Sequence, residues 1–121
     1  MAATNFKETA LYKKAFEQAT TIFESNKKFP KEETYSLTDQ IRRSSRSVCA
    51  NLADAYRKKR YPAHFVPKLT DCDAEDYETT VWIEFALVCN YISTEPSQPL
   101  DSLNDEMGRL LYHIINNPEK Y

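Results

Sequence analysis

A single glycine, Gly108, occurs in 121 residues, and that scarcity constrains the fold more than any other feature. Hairpin turns and bulges draw on glycine's freedom at positive φ, so a turn-rich β-protein is disfavoured. A glycine-rich loop cradling phosphate is disfavoured on the same ground. In place of β alternation the chain shows apolar residues at helical spacing, in four runs separated by proline or polar residues. Its length suffices for one core without disulfide or metal staples.

The first run is Leu11, Tyr12, Ala15, Phe16, Ala19, Ile22 and Phe23. Asn5 and Glu8 have capping-box spacing, predicting a helix over about 6–26 that ends before Pro30. A polar connector with Glu32 and Glu33 follows. Ser36 and Asp39 form a second capping box before Leu37, Ile41, Ser45, Val48, Leu52 and Ala55, predicting a helix over 37–60 that Tyr61-Pro62 breaks. A third helix, over 63–92, carries Leu69, Cys72, Ile83, Leu87 and Tyr91, with Pro67 in its first turn or at a kink. Leu100, Leu103, Met107, Leu110, Leu111 and Ile114 mark a fourth over 99–116, with Pro99 in its first turn and Asn116-Asn117-Pro118 as its stop. Four helices with short loops predict an all-α, antiparallel up-down-up-down four-helix bundle, one domain over residues 1–121.

Charge is unevenly placed. The chain carries 16 Lys and Arg against 18 Asp and Glu, yet Arg42, Arg43, Arg46, Arg57, Lys58, Lys59 and Arg60 crowd onto residues 40–60 of the second helix, where Asp54 is the one acid. The third helix opens acidic, with Asp71, Asp73, Glu75, Asp76 and Glu78. Its second half, Val81 to Cys89, is apolar on nearly every face. A bundle core covers one face of such a helix, so a second copy is expected on another, with Val81, Trp82, Phe85 and Val88 as contacts.

The three cysteines, Cys49, Cys72 and Cys89, have no metal-type spacing and read as small buried hydrophobes with free thiols. Met1 to Asn5 lacks the basic start and apolar run of a secretory signal, and no apolar stretch is long enough to span a bilayer. A cytoplasmic protein without membrane attachment is the expectation.

The run Gln40-Ile41-Arg42-Arg43-Ser44, Ser47-Val48, Asn51-Leu52-Ala53-Asp54 resembles the signature of a bacterial four-helix-bundle family. Its members are encoded by intervening sequences within large-subunit ribosomal RNA genes and often labelled ribosomal proteins. The accessory variability protein of diversity-generating retroelements is a relative. Phe65, Leu69, Glu75, Glu78 and Trp82 through Tyr91-Ile92 follow the family's third helix, and the resemblance spans about residues 8–116. Where members commonly carry an acidic-Gly pair after the asparagine, Asp54-Ala55 stands here. The resemblance implies a five-fold ring of identical subunits. For the accessory branch it implies a basic surface for nucleic acid and a reverse-transcriptase partner.

Two uses of the cations stay open. Antiparallel second and third helices turning near residue 62 place Arg46 level with Glu78 and Cys49 with Glu75. Arg42, Arg43 and Arg46 can therefore pair with Glu75 and Glu78, within or between subunits, or contact RNA directly. Arg57, Lys58, Lys59 and Arg60 surround a helix end, where no single acidic face neutralises them. They are the candidate phosphate contacts, with Tyr61 as a stacking partner. Neither His64 nor His113 has a carboxylate three residues before it, so no di-metal bundle is expected, nor any cofactor. Arg60–His64 and Arg109–His113 each leave three intervening residues, short of the four to six of the small helical ribonucleases of the HEPN type. The expectation is a non-enzymatic, homo-oligomeric adaptor, most simply a pentamer, associated with RNA or DNA and with a reverse-transcriptase or ribosome-associated partner. The rival is a protein-interaction scaffold, such as a reverse-transcriptase accessory subunit, whose cations serve only assembly. A cryptic ribonuclease is the third.

Overall fold

The computed structural model describes residues 5–93 and 100–121. Four helices form a bundle: α1 (Ala10–Asn26), α2 (Leu37–Arg57), α3 (Pro62–Val88) and α4 (Leu100–Asn116). Short 3-10 turns lie at Phe6–Glu8, Lys31–Glu33 and Pro118–Lys120, and no strand occurs among the described residues. Each helix packs against its neighbours in the chain, and α1 closes against α4. The order is the up-down-up-down arrangement, with α1 and α3 across the diagonal.

The helix starts differ from those expected. The Asn5 side chain accepts from Lys7 N, 3.0 Å away, and so caps the first 3-10 turn. Thr9 caps α1 itself, its hydroxyl accepting from Tyr12 N at 3.2 Å. Ser36 makes no side-chain cap to α2. Glu33 supplies that acceptor from the preceding turn, its Oε1 taking Leu37 N at 3.2 Å. The other Glu33 oxygen accepts from the Tyr91 hydroxyl at 2.9 Å, tying the connector to the end of α3.

The ends also move inward. α2 stops at Arg57 rather than residue 60, and α3 at Val88 rather than residue 92. Asn90 adopts a left-handed φ of 62°, and Tyr91 N donates back to Ala86 O at 2.8 Å. That pair of features is a Schellman closure, which an asparagine at the left-handed position permits. Pro67 lies inside α3, where it leaves the Ala63 carbonyl without its usual helical donor. Ala63 is exposed, so water can take that place. The expected turn role of Pro99 and the Pro96 loop fall outside the described residues.

Every residue of the α2 stripe, Leu37, Ile41, Ser45, Val48, Leu52 and Ala55, is buried. Ala55, where the family commonly has glycine, is fully enclosed. The apolar core divides in two. One cluster gathers Leu11, Ala15, Val48, Leu52, Phe65, Leu69, Met107 and Leu111 at the end where α2 turns into α3. The other gathers Ile22, Phe29, Ile41, Ile83 and Leu100 at the opposite end. Burying each large aliphatic side chain contributes about 1.5–3 kcal/mol.

A polar layer lies between them, with members on all four helices. Gln18 Nε2 donates to Asn104 Oδ1, and Asn104 Nδ2 donates to Thr80 Oγ1 at 3.0 Å. Thr80 donates to the Asp76 carbonyl at 3.1 Å. The Thr79 and Ser44 hydroxyls are hydrogen-bonded at 2.8 Å. Gln18 Oε1 and Asp76 Oδ1 are buried in this layer without a partner among the described residues. Of the thiols, Cys72 is buried and Cys49 half-buried, whereas Cys89, expected inside, is exposed beyond the end of α3.

Candidate nucleic-acid interface

The corner between α2 and α3 is built by backbone bonds that leave its side chains outside. Lys58 N donates to Asp54 O at 3.1 Å and Ala55 O at 3.0 Å, ending α2. Tyr61 N donates to Lys58 O at 2.9 Å, and Tyr61 O then accepts from Phe65 N at 2.9 Å to begin α3. Pro62 takes the first helical position, where a missing N–H costs nothing. Arg57, Lys58, Lys59, Arg60 and Tyr61 are all exposed. Lys59 Nζ lies 5.7 Å from the centroid of the Tyr56 ring. Among the described residues, no ion pair involves any of these four cations. Cations at a helix C-terminus also complement its dipole, which stabilises the corner without any ligand.

Arg42 and Arg46 do not meet the α3 acids within the chain. Arg42 Nε donates to Asn26 Oδ1 of α1 at 2.9 Å. Its guanidinium stands 4.9 Å from the Phe23 ring centroid, and that of Arg46 stands 5.5 Å away. The expected register between α2 and α3 is close to the observed one, since Ser44 meets Thr79 and Cys72 Sγ approaches Val48 O. Within one chain it is the face of α2, not the register, that keeps Arg42 and Arg46 from the α3 acids. Positions 42 and 46 share the flank of α2 toward α1, and position 43, about 100° further round, turns toward α3. Arg43 and Ser47 lie near the Glu75 carboxylate and favour its ionised form, and no ion pair closes there among the described residues. Glu75 is nonetheless held above the usual carboxylate range, by burial and by its neighbour Glu78.

The signature residues Asn51 and Asp54 have a partner that the spacing argument missed. Lys68 Nζ of α3 donates to Asn51 Oδ1 at 3.2 Å and stands 3.5 Å from Asp54 and 3.7 Å from Asp71. The register places Lys68 level with that turn of α2, but which flank of α2 it meets is decided by the helix crossing. Gln40 is half-buried in the first turn of α2.

On α3, Val81, Phe85 and Val88 form an exposed apolar ridge at helical spacing. Phe85 is 54 % and Val88 75 % exposed, while Ile83 and Ala86 between them face the core. Trp82 is half-buried at its edge, with its ring 6.1 Å from that of Phe85. Its Nε1 is buried without an acceptor among the described residues. Phe16, a member of the first helix's apolar run, is exposed on α1 in the single chain.

Among the described residues, no three His, Cys, Asp or Glu come together to hold a metal ion. His64 and Arg60 are both exposed at the corner. His113 of α4 hydrogen-bonds the Tyr121 hydroxyl through Nδ1. No described helix is long and apolar enough to cross a membrane.

Comparison with known proteins gives three findings. The crystal structure of a protein of unknown function from the S23 ribosomal protein family of Bacteroides thetaiotaomicron is similar to this chain, with a TM-score of 0.78 and 29% identity over 88% of this chain and 96% of that one. No curated protein matches the chain. The model of the 23S rRNA-intervening sequence protein family matches residues 7–113. With its fold, its α2 signature and that match, the chain belongs to the 23S rRNA-intervening sequence protein family.

Proposed function

We propose that this protein is a non-catalytic cytoplasmic adaptor that attaches to nucleic-acid phosphates through the α2–α3 corner, in copies that associate along α3. The observation that carries this reading is the set of four exposed cations, Arg57 to Arg60, without a carboxylate partner among the described residues, beside the exposed ring of Tyr61. An electrostatic contact of this kind releases counterions and needs no deep groove. A net charge of −2 opposes binding by one chain. The ridge of Val81, Phe85 and Val88, flanked by Trp82, supports self-association, most simply into a ring of five. A ring multiplies one weak corner into a multivalent surface.

A scaffold reading, such as an accessory subunit of a reverse transcriptase, has its own support. Arg46 and Phe23 border a cleft between α1 and α2 with Tyr12, Phe16 and Cys49. Arg42 and Arg46 there can receive Glu78 or Glu84, which neighbour the ridge, from a second copy. In that case the cations serve assembly.

Fluorescence anisotropy with duplex DNA and with structured RNA, at two salt concentrations, separates the readings. If each of the four cations contacts a phosphate, replacing all four with alanine lowers the salt slope by up to about four per subunit on a duplex. Equal binding by wild type and variant would favour the scaffold. No binding by wild type at low salt would remove the nucleic-acid reading altogether.

A further inference from the structure

On the side of the bundle where α3 faces α4, an open groove of about 860 Å³ meets the polar layer. Asp76 lines it. This residue is 5 % exposed, and its Oδ1 is buried without a hydrogen-bond donor among the described residues. A carboxylate oxygen in that position lacks the proton donor or cation that burial ordinarily requires. Asp101 and Asp105, one turn apart on α4, extend the negative charge along the same groove.

Gly108 makes up part of the α4 wall. It is the only glycine in the chain, and it sits inside a helix, where glycine is less favourable than alanine. A Cβ added there would meet nothing within 4 Å, and no positive φ requires glycine at this position. The chain's own packing therefore does not account for it. The missing side chain widens the groove. Tyr77 and Tyr112, both largely exposed, flank the space with rings whose faces attract cations. The carboxylates are too dispersed to enclose a metal ion, since no such group of three exists among the described residues.

We propose that the α3–α4 groove is a binding site for a small aliphatic diamine or polyamine, with one ammonium group donating to Asp76 and another meeting Asp101 and Asp105. An extended cation satisfies separated carboxylates that a single metal ion cannot. Its methylene chain lies against Gly108 between the two tyrosines. Arg109 and His113, further along α4, bound the site at its basic end and orient the ligand toward the acids. Burial, and secondarily Asp73, push the Asp76 carboxyl up to about 7. The titratable and charged groups around it are Asp73 on α3 and Asp101, Asp105, Arg109 and His113 on α4, with neutral Gln18 in the layer from α1. A bound ammonium favours ionised Asp76. Affinity therefore rises from pH 6 to pH 8, because at the higher pH the carboxyl has already lost its proton before the ligand arrives.

The probes are putrescine and spermidine, added to the full chain and followed by calorimetry and by the amide resonance of Gly108, which is unambiguous because there is one glycine. Sodium chloride at matched ionic strength and magnesium chloride are the controls. The expected result is saturable binding that moves the Gly108 resonance and weakens at least tenfold in both Asp76→Asn and Gly108→Leu. Asp101→Asn with Asp105→Asn should weaken spermidine more than it weakens methylamine, which carries one charge. A lysine-containing peptide with an acetylated N-terminus distinguishes a free amine from a protein side chain. Unchanged affinity in Asp76→Asn and Gly108→Leu, equal displacement by magnesium, or binding by the peptide alone would each overturn the proposal.

Discussion

Asp76→Asn should leave the protein more stable relative to wild type at pH 8 than at pH 4, by about 4 kcal/mol. In the folded chain burial raises the Asp76 carboxyl from 3.8 to about 7, each unit being worth about 1.36 kcal/mol. The unfolded chain gives up this proton near pH 4 and the native chain near pH 7. Across that window the native state binds more protons, so wild-type stability falls as pH rises, and it levels off above pH 7. Asparagine has the same shape and does not titrate. Its amide lacks a donor and acceptor set here, which costs about 1–3 kcal/mol at every pH. That offset cancels when the two pH values are compared, as do contributions from carboxylates common to both proteins. Urea unfolding at pH 4 and pH 8, on both proteins and without added amine, measures the quantity. A difference between wild type and variant that stays constant within about 1 kcal/mol would refute it, showing that Asp76 is solvated or paired and titrates as an ordinary aspartate.

Phe85→Glu, at a ridge position 54 % exposed in the single chain, should release subunits while leaving helix content intact, measured by light scattering and circular dichroism; an unchanged mass would exclude this ridge as the contact. Arg42→Ala removes a charged hydrogen bond to Asn26 and a stacked position over Phe23, costing about 1.5–3 kcal/mol. Arg46→Ala, which retains the Asn26 bond, should cost no more than about 1 kcal/mol in the same urea titration. Burial pushes the Cys49 thiol up to about 11 and the Cys72 thiol to about 12, whereas Cys89 is exposed. In the Phe85→Glu variant a disulfide reagent at pH 8 should therefore modify one thiol quickly and the others only after denaturant, and three fast thiols would contradict the packing.

The periodicity of apolar residues was enough to specify four helices, their buried stripes and an antiparallel bundle, because each stripe reports the phase of its own helix. Leu37 to Ala55 on α2 shows this most plainly, with every expected position buried. The basic corner was equally legible, since a proline after a run of four cations leaves them at a helix end. Periodicity says nothing about which neighbour stands on each flank of a stripe. Arg42 and Arg46 could face α1 or α3 from the sequence, and only the packing of Phe23 and Asn26 beside them decided for α1. The same holds for Lys68, whose link to Asn51 and Asp54 depends on the crossing of two helices. Glu33 as the cap of α2 and Asn90 as the close of α3 arise from bonds between segments or from a backbone angle that no residue type announces by itself. The polar layer is the strongest case. Gln18, Ser44, Asp76, Thr79 and Asn104 are polar residues scattered over four helices, and only the tertiary structure brings them to one level, leaving a buried oxygen of Asp76 without a partner among the described residues, on the groove that the chain's single glycine also lines.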